Sequence, residues 1–327
     1  MSLTTAKYPA LTDDLQRIFT ESAKVSMENM MGRQIYDFVD TNRKTYDHLT
    51  MYGLPGMSGI AEGQELPTVT SQEGDSLTIT QRRHGNKISI TKDMRMFDLY
   101  NQIKQAVKSS VDTSFNQWDQ ALADLILNGF TGTSYADVFG FTQSNLANDG
   151  VVLFSASHTN NVNSGTARNL IRSSAGTDNP ALTRDPVFQA ITDAMNYQDP
   201  NSVNRPINLD ELYVSPKNAD LAERIVYSTG VVNTPNVDIN PIKGRVKKVY
   251  TWSKLTTSGQ GTDTSAYWSM CDSSRVKDSL LNIVAQPIKM HDAENVTETQ
   301  NWLYPVDAYF ALRAAWPFGI WGSTGAN

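Results

Sequence analysis

Between Lys92 and Asn128 the chain carries no glycine and no proline. Apolar residues fall at Met94, Phe97, Tyr100, Ile103, Val107, Val111, Phe115, Trp118, Leu122 and Leu125, in steps of three or four. That spacing keeps one face of a helix apolar along its whole length. Thr91 can cap the start, and Asn128-Gly129 supplies the stop. About 36 residues at a rise of 1.5 Å make a rod of roughly 54 Å, several times the typical 11 or 12 residues. A coiled coil needs a strict heptad, but this stripe steps irregularly, with polar gaps at Lys104 and Ser114. The expectation is a single long helix lying across a sheet.

Two stretches precede the rod. In the first, to about Tyr52, Thr12 followed by Asp13 and Asp14 predicts a helix start. Leu15, Ile18, Phe19, Ser22 and Val25 continue it at helical spacing. Gly32 is placed to interrupt it, and a second helical pattern covers Ile35 to Tyr46. The second stretch opens with Gly53, Pro55, Gly56, Gly59 and Gly63, which forbid a helix. Leu77-Thr78-Ile79-Thr80 and Lys87-Ile88-Ser89-Ile90 then alternate apolar with polar. With Arg82-Arg83-His84-Gly85-Asn86 as a turn-rich joint, they predict two antiparallel strands behind a long extended arm. Such a ribbon is marginal alone, so a partner should cover it.

After the rod, Phe130 to Arg184 is loop-rich. From Asp185 onward helix and strand signals alternate. Asp185-Pro186 and Ser215-Pro216 predict helices over Pro186 to Tyr197 and Pro216 to Ser228. Strands are expected over Glu211 to Val214, Arg245 to Trp252, Ala266 to Met270, Leu280 to Ala285 and Ala308 to Ala315. The class is α+β, without βαβ regularity.

The 327 residues allow one large or two modest domains. With 34 acidic against 28 basic residues, the chain lacks the clustered cations of a general nucleic-acid binder. Charged residues make up 19%, below the roughly 25% of an average soluble domain. The surface is instead rich in Thr, Ser, Asn and Gln, which suits extended packing contacts. One cysteine, Cys271, excludes a disulfide framework and a Cys-based zinc site; it reads as a small buried hydrophobe. No apolar run reaches the roughly 20 residues of a membrane span. Met1 to Ala10 has no apolar core, so no secretory leader is expected.

No phosphate loop, His-Glu-x-x-His, Gly-x-Ser-x-Gly or Gly-x-Gly-x-x-Gly motif is present. No cofactor and no metal are expected. His48, His84, His158 and His291 are too far apart in sequence to form a helical metal pair. Leu153-Phe154-Ser155-Ala156-Ser157-His158 invites a nucleophile reading on Ser157 and His158, against a structural role in loop hydrogen bonds. Glu62 and Glu65 read either as paired carboxylates for acid/base or calcium chemistry, or as a solvated arm pairing with a neighbouring subunit. Arg82-Arg83 and Lys247-Lys248 read as contact or surface charges, against an alternative as nucleic-acid ligands.

The order of elements resembles the major capsid protein of tailed bacteriophages, with the Hong Kong 97-type fold. Ala61-Glu62-Gly63-Gln64-Glu65-Leu66-Pro67 and Ile88-Ser89-Ile90-Thr91-Lys92-Asp93-Met94 are similar to the phrases that open and close the family's extended hairpin before its spine helix. Val152-Leu153-Phe154-Ser155 with His158 and Asn160 is similar to a segment of the Mu-like head-subunit branch. Leu209-Asp210-Glu211-Leu212-Tyr213-Val214-Ser215-Pro216, with Ala219 and Leu221, looks like the strand-to-helix passage of the axial domain.

The resemblance implies an N-terminal arm and helix over 1–52 and an extended hairpin loop over 53–91. It implies a spine helix and peripheral domain over 92–184, an axial domain over 185–290, and a C-terminal return to the peripheral domain over 291–327. It further implies no catalysis. The expected function is self-assembly into an icosahedral virion capsid of a phage or prophage, made in the bacterial host cytoplasm. Expected partners are copies of the chain in pentamers and hexamers, a scaffolding protein, a maturation protease, a portal and a decoration protein. Double-stranded DNA would be enclosed without sequence-specific binding and without a membrane. Contacts between subunits are expected at Glu62, Glu65, Arg82, Arg83 and Lys87. The alternatives are an encapsulin-like nanocompartment shell and, remotely, a hydrolase using Ser157 and His158.

Overall fold

The computed structural model describes the chain except residues 1–6, 53–56, 58, 67, 69, 71, 98–99, 160–165, 200–202, 231–238, 297–298 and 327. Helix α1 (Lys7–Glu28) and the one-turn α2 (Gly32–Ile35) lead into strands β1 (Asp37–Asp40), β2 (Thr45–Tyr52), β3 (Gln72–Thr80) and β4 (Arg82–Ile90). Helices α3 (Lys92–Met96) and α4 (Tyr100–Leu127) follow. The loop-rich stretch holds two short pairs, β5 (Ser134–Ala136) with β6 (Thr142–Ser144), and β7 (His158–Thr159) with β8 (Thr166–Ala167). Next come α5 (Arg184–Met195), β9 (Glu211–Val214), α6 (Ala219–Tyr227), β10 (Lys248–Thr251), β11 (Trp268–Cys271) and α7 (Val276–Ser279). Strands β12 (Leu280–Met290), β13 (Glu294–Val296), β14 (Asn301–Ala314) and β15 (Ile320–Ser323) end the chain.

Two bodies result. In the first, β1, β12, β14, β13 and β4 form one sheet, with β14 at its centre. The rod lies over it. Ile103, Val107, Val111, Phe115, Trp118, Leu122 and Leu125 are all buried, together with Leu15 and Phe19 of α1 and Tyr304, Phe310 and Leu312 of β14. Each large side chain removed from water this way contributes about 1.5–3 kcal/mol before chain entropy is counted. The second body is the sheet β10-β9-β11-β15. Its core joins Leu212, Val214, Trp268 and Met270 to Val187 and Ile191 of α5 and to Ile225 of α6.

Several expectations change. The rod is two segments, because Phe97 leaves helical geometry (φ −97°, ψ 18°) and closes α3 with its amide on Asp93 O at 3.0 Å. Phe97 is 74% exposed, so the buried stripe begins after it. Helix α1 starts at Lys7, upstream of the expected cap at Thr12, whose hydroxyl instead lies 3.4 Å from that of Tyr304.

The helix expected over Ile35 to Tyr46 is replaced by β1 and β2. Asp37-Phe38-Val39-Asp40 is drawn into parallel pairing with Leu281 to Val284 of β12. The strands containing Leu77–Thr80 and Lys87–Ile90 do not pair with each other. β3 pairs with β2, and β4 pairs with β14. Gly85 therefore marks no turn. It sits in mid-strand opposite Asp307, where a Cβ would lie 2.6 Å from Val306 O, so the glycine serves close backbone approach. β14 also starts at Asn301, upstream of the expected Ala308, because Trp302 to Phe310 find a full partner in β4.

One polar tie holds this arrangement. The buried Asp119 of α4 accepts the Gly32 amide on Oδ1 and the Trp252 indole N–H on Oδ2, both at 2.9 Å. Burial pushes its pKa up, and the two hydrogen bonds oppose that rise. Asp119→Asn retains one acceptor and orphans one donor. We expect urea denaturation to report a loss of about 1–3 kcal/mol; unchanged stability would show that the tie carries nothing.

Candidate functional site

The sequence that suggested a nucleophile is a structural knot. His158 is fully buried. Its Nδ1 meets Asp149 Oδ2 at 2.7 Å, and its Nε2 meets Asn169 Oδ1 at 3.0 Å and Leu153 O at 3.2 Å. Asn169 in turn donates to the carbonyls of Leu153 and Pro317 at 2.6 and 2.8 Å. Both ring nitrogens are committed to these loops. The Ser155 hydroxyl accepts the Ser157 amide at 3.1 Å. A general base needs a nitrogen within reach of its nucleophile, and here the histidine instead ties the loop-rich stretch together, while Asn169 carries the bonds to the C-terminal segment. Asn160 lies outside the described residues.

Among the described residues, no group of three His, Cys, Asp or Glu is placed to hold a metal ion. No described helix is long and apolar enough to cross a membrane. Cys271 is buried in β11, and burial pushes its thiol pKa well up, away from reactivity.

The surface elements are more informative. The β2–β3 ribbon is anchored at the end where Thr45 pairs with Thr80. Leu77 and Ile79 pack on Leu281, Ile283, Ala311 and Ala315, while Thr78 and Thr80 face outward. Glu62 and Glu65 are exposed on the connection between the two strands. So are Met57 (105% exposed), Leu66 (75%) and Ile60 (42%). Sequence reasoning found the two acids and missed these three hydrophobes. The available signal was apolar residues scattered among glycines with neither helical nor strand period.

Arg82, Arg83 and Lys87 lie apart from the ribbon tip, on β4, each with a partner in its own chain. Arg83 donates to Asp307 Oδ2 from Nε at 2.9 Å and from Nη2 at 2.6 Å. Lys87 Nζ pairs with Glu294 at 2.8 Å. Arg82 stands 5.1 Å over the Phe141 ring. Asp307 also accepts from Gln286 and lies 2.6 Å from His291 Nε2. Burial pushes the Asp307 pKa up, but hydrogen bonds from His291, Arg83 and Gln286 outweigh that and hold it below the usual value.

No protein-family model matches this sequence, and no curated protein matches it significantly. Solved structures do match. The chain is similar to the subunit in the mature capsid of bacteriophage PhiM1, with TM-score 0.54 and 13% identity, over 90% of this chain and 86% of that one. For the capsid of an empty GTA particle the values are 0.51 and 12%, over 90% and 89%. For the acidic stable capsid of Helicobacter pylori bacteriophage KHP30 they are 0.51 and 12%, over 88% and 86%. At such identities the likeness concerns the fold, which is the Hong Kong 97-type fold of phage capsids.

His158→Ala leaves Asp149 and Asn169 without their buried partner. We expect a loss of at least about 2 kcal/mol in chemical denaturation. A second expectation concerns pH. Burial holds the His48 and His84 pKa values below 6.5. The unfolded chain therefore binds protons first, and their contribution to stability is lost as pH falls below about 6.5. Asp119 and Asp124, with pKa values raised by burial, act in the opposite direction, gaining stability toward acid. Urea denaturation of wild type and His84→Phe between pH 7.5 and 5.5 separates them: the variant should lose less stability on acidification. An equal loss would remove His84 from the account.

Proposed function

We propose that this chain is the major capsid subunit of a tailed phage or prophage, assembling with copies of itself into an icosahedral shell around double-stranded DNA. The observation that carries the reading is the anchored ribbon with exposed hydrophobes on its connection, on a chain with a capsid fold. Three large hydrophobes and two carboxylates stand exposed on the connection of a ribbon whose root is packed like a core. Several large apolar side chains exposed along one short connection suit a contact with a partner, and a shell supplies one copy of that contact to every neighbour. The net charge of −6 fits a wall that encloses DNA without gripping it.

The proposed division keeps the expected order of arm, extended hairpin, spine helix with peripheral domain, axial domain and C-terminal return, with two bounds moved: the hairpin is the β2–β3 ribbon, and β4 and β12 belong to the peripheral sheet under the spine helix. The small sheet with α5 and α6 supports the axial assignment. β12 lies in the first sheet and β15 in the second, so both C-terminal segments pass between the bodies. Glu62 and Glu65 are proposed to contact a neighbouring subunit from the ribbon, and Arg82, Arg83 and Lys87 from β4. The role is structural, without catalysis. Pentamers and hexamers, a scaffold, a maturation protease, a portal and a decoration protein are the partners this role entails. Placement in the Mu-like branch is supported by the Leu153-Phe154 and His158 phrasing alone.

Replacing residues 57–70 with a Gly-Ser-Gly-Ser linker keeps β2 and β3 and removes the tip. By circular dichroism the variant should stay folded, and by sedimentation velocity it should fail to form shells under conditions where wild type does. Closed shells at wild-type yield would refute the arm's role.

A further inference from the structure

The charge of the chain inverts abruptly at one point. From Thr45 to Gln81, the ribbon and its connection, there are five carboxylates and no Lys or Arg. The next stretch, Arg82 to Lys108, carries seven Lys and Arg against two Asp. The net charge of −6 over the whole chain hides this segregation. Arg83 and Lys87 pair with Asp307 and Glu294, outside the ribbon. Lys92, at the start of α3, is exposed beside the exposed Asp93, and it makes no ion pair among the described residues. Glu62 and Glu65 are exposed and equally without an ion pair among those residues.

The same two places hold large exposed hydrophobes. Met57, Ile60 and Leu66 flank the two glutamates on the connection. On α3, Met96 is 61% and Phe97 74% exposed, one turn beyond Lys92 at the break before α4. Each surface supplies what the other lacks: acid with apolar on the ribbon, cation with apolar on α3. The other cationic run, Lys243 to Lys248, is engaged within its own chain. Lys247 Nζ is held by Asp210 at 2.8 Å, Lys243 donates to Thr229 at 2.9 Å, and Arg245 lies 5.5 Å over the Phe188 ring.

We infer that the ribbon connection of one subunit docks on α3 of a second copy, with Ile60 and Leu66 covering Met96 and Phe97, and Glu62 or Glu65 paired to Lys92. Resting on the capsid reading, this contact fixes which face of the neighbour the ribbon takes. It is heterologous: every subunit offers one ribbon and one α3, so the contact repeats from copy to copy around a ring. Burial of the hydrophobes supplies the attraction. The charges set the register and penalise ribbon against ribbon or α3 against α3.

Cross-linking of assembled particles tests the contact. The single native cysteine, Cys271, is buried, so Gln64→Cys with Asp93→Cys adds two exposed thiols while keeping every side chain of the proposed contact. A short bismaleimide should convert shells of this variant into a ladder of covalent oligomers. In shells grown from mixed light- and heavy-nitrogen protein, mass spectrometry should find residue 64 linked to residue 93 of a different copy. Either substitution alone should give at most dimers. Lys92→Glu, and separately Glu62→Lys with Glu65→Lys, should each lower shell yield about tenfold, and the three changes together should recover most of it. Circular dichroism checks that each variant folds; the cross-link reverses no charge and decides the matter where a charge variant does not fold. Wild-type shells with no 64–93 link in the cysteine variant, links from residue 64 to another region, or no recovery in a folded triple variant would overturn this contact and leave the capsid reading standing. A wild-type chain that forms no shells would overturn both.

Discussion

The burial of one face of α4 is the constraint on which the rest of the structure depends. A 28-residue helix with an apolar stripe needs a surface as long as itself, and the sheet centred on β14 together with α1 provides it. The same helix organises distant backbone through its polar atoms. Asp119 holds Gly32 and Trp252. Leu122 O accepts the buried Tyr36 hydroxyl at 2.6 Å. Asp124 Oδ1 accepts the Gly259 amide at 2.7 Å. Segments from both ends of the sequence are thus registered against one rod. The crowding at Gly32, where a Cβ would strike Leu122, shows how close that registration is.

What the sequence revealed follows from the range of the interactions. The rod was legible because helical periodicity is local, and the burial of Ile103 through Leu125 follows the stripe. Its break at Phe97 was not, because no glycine or proline marks it. Strand β1 was hidden because its partner β12 lies far along the chain, and parallel pairing leaves no local turn signal. Gly85 misled because a glycine required for backbone approach looks in sequence like one required for a turn. At the surface, Glu62 and Glu65 were readable from their glycine-rich setting. The partners of Arg83 and Lys87 were not, since Asp307 and Glu294 stand 224 and 207 residues away. His158 shows the converse: a neighbouring serine suggested chemistry, while its actual partners, Asp149 and Asn169, make it a fastening.

These features divide the labour within the chain. The rod and its sheet form one packed body, the second sheet forms another, and the β2–β3 ribbon is anchored on the first through Leu77 and Ile79, with Met57, Ile60 and Leu66 exposed on its connection. A packed root and exposed hydrophobes on the connection suit the proposed shell role, because contacts between neighbours must be placed at a fixed angle for a shell to close. The low charged fraction of the sequence acquires a physical sense in that setting: surface rich in hydroxyls and amides can be buried against copies of itself at little desolvation cost compared with surface rich in charge.

An electron cryo-microscopy map of particles assembled from the purified chain tests this account most directly. The account predicts closed shells in which residues 57–70 of each subunit lie on the surface of a neighbour, covering Met57, Ile60 and Leu66. Particles in which that segment folds back on its own subunit, or a chain that remains monomeric under every assembly condition, would contradict it.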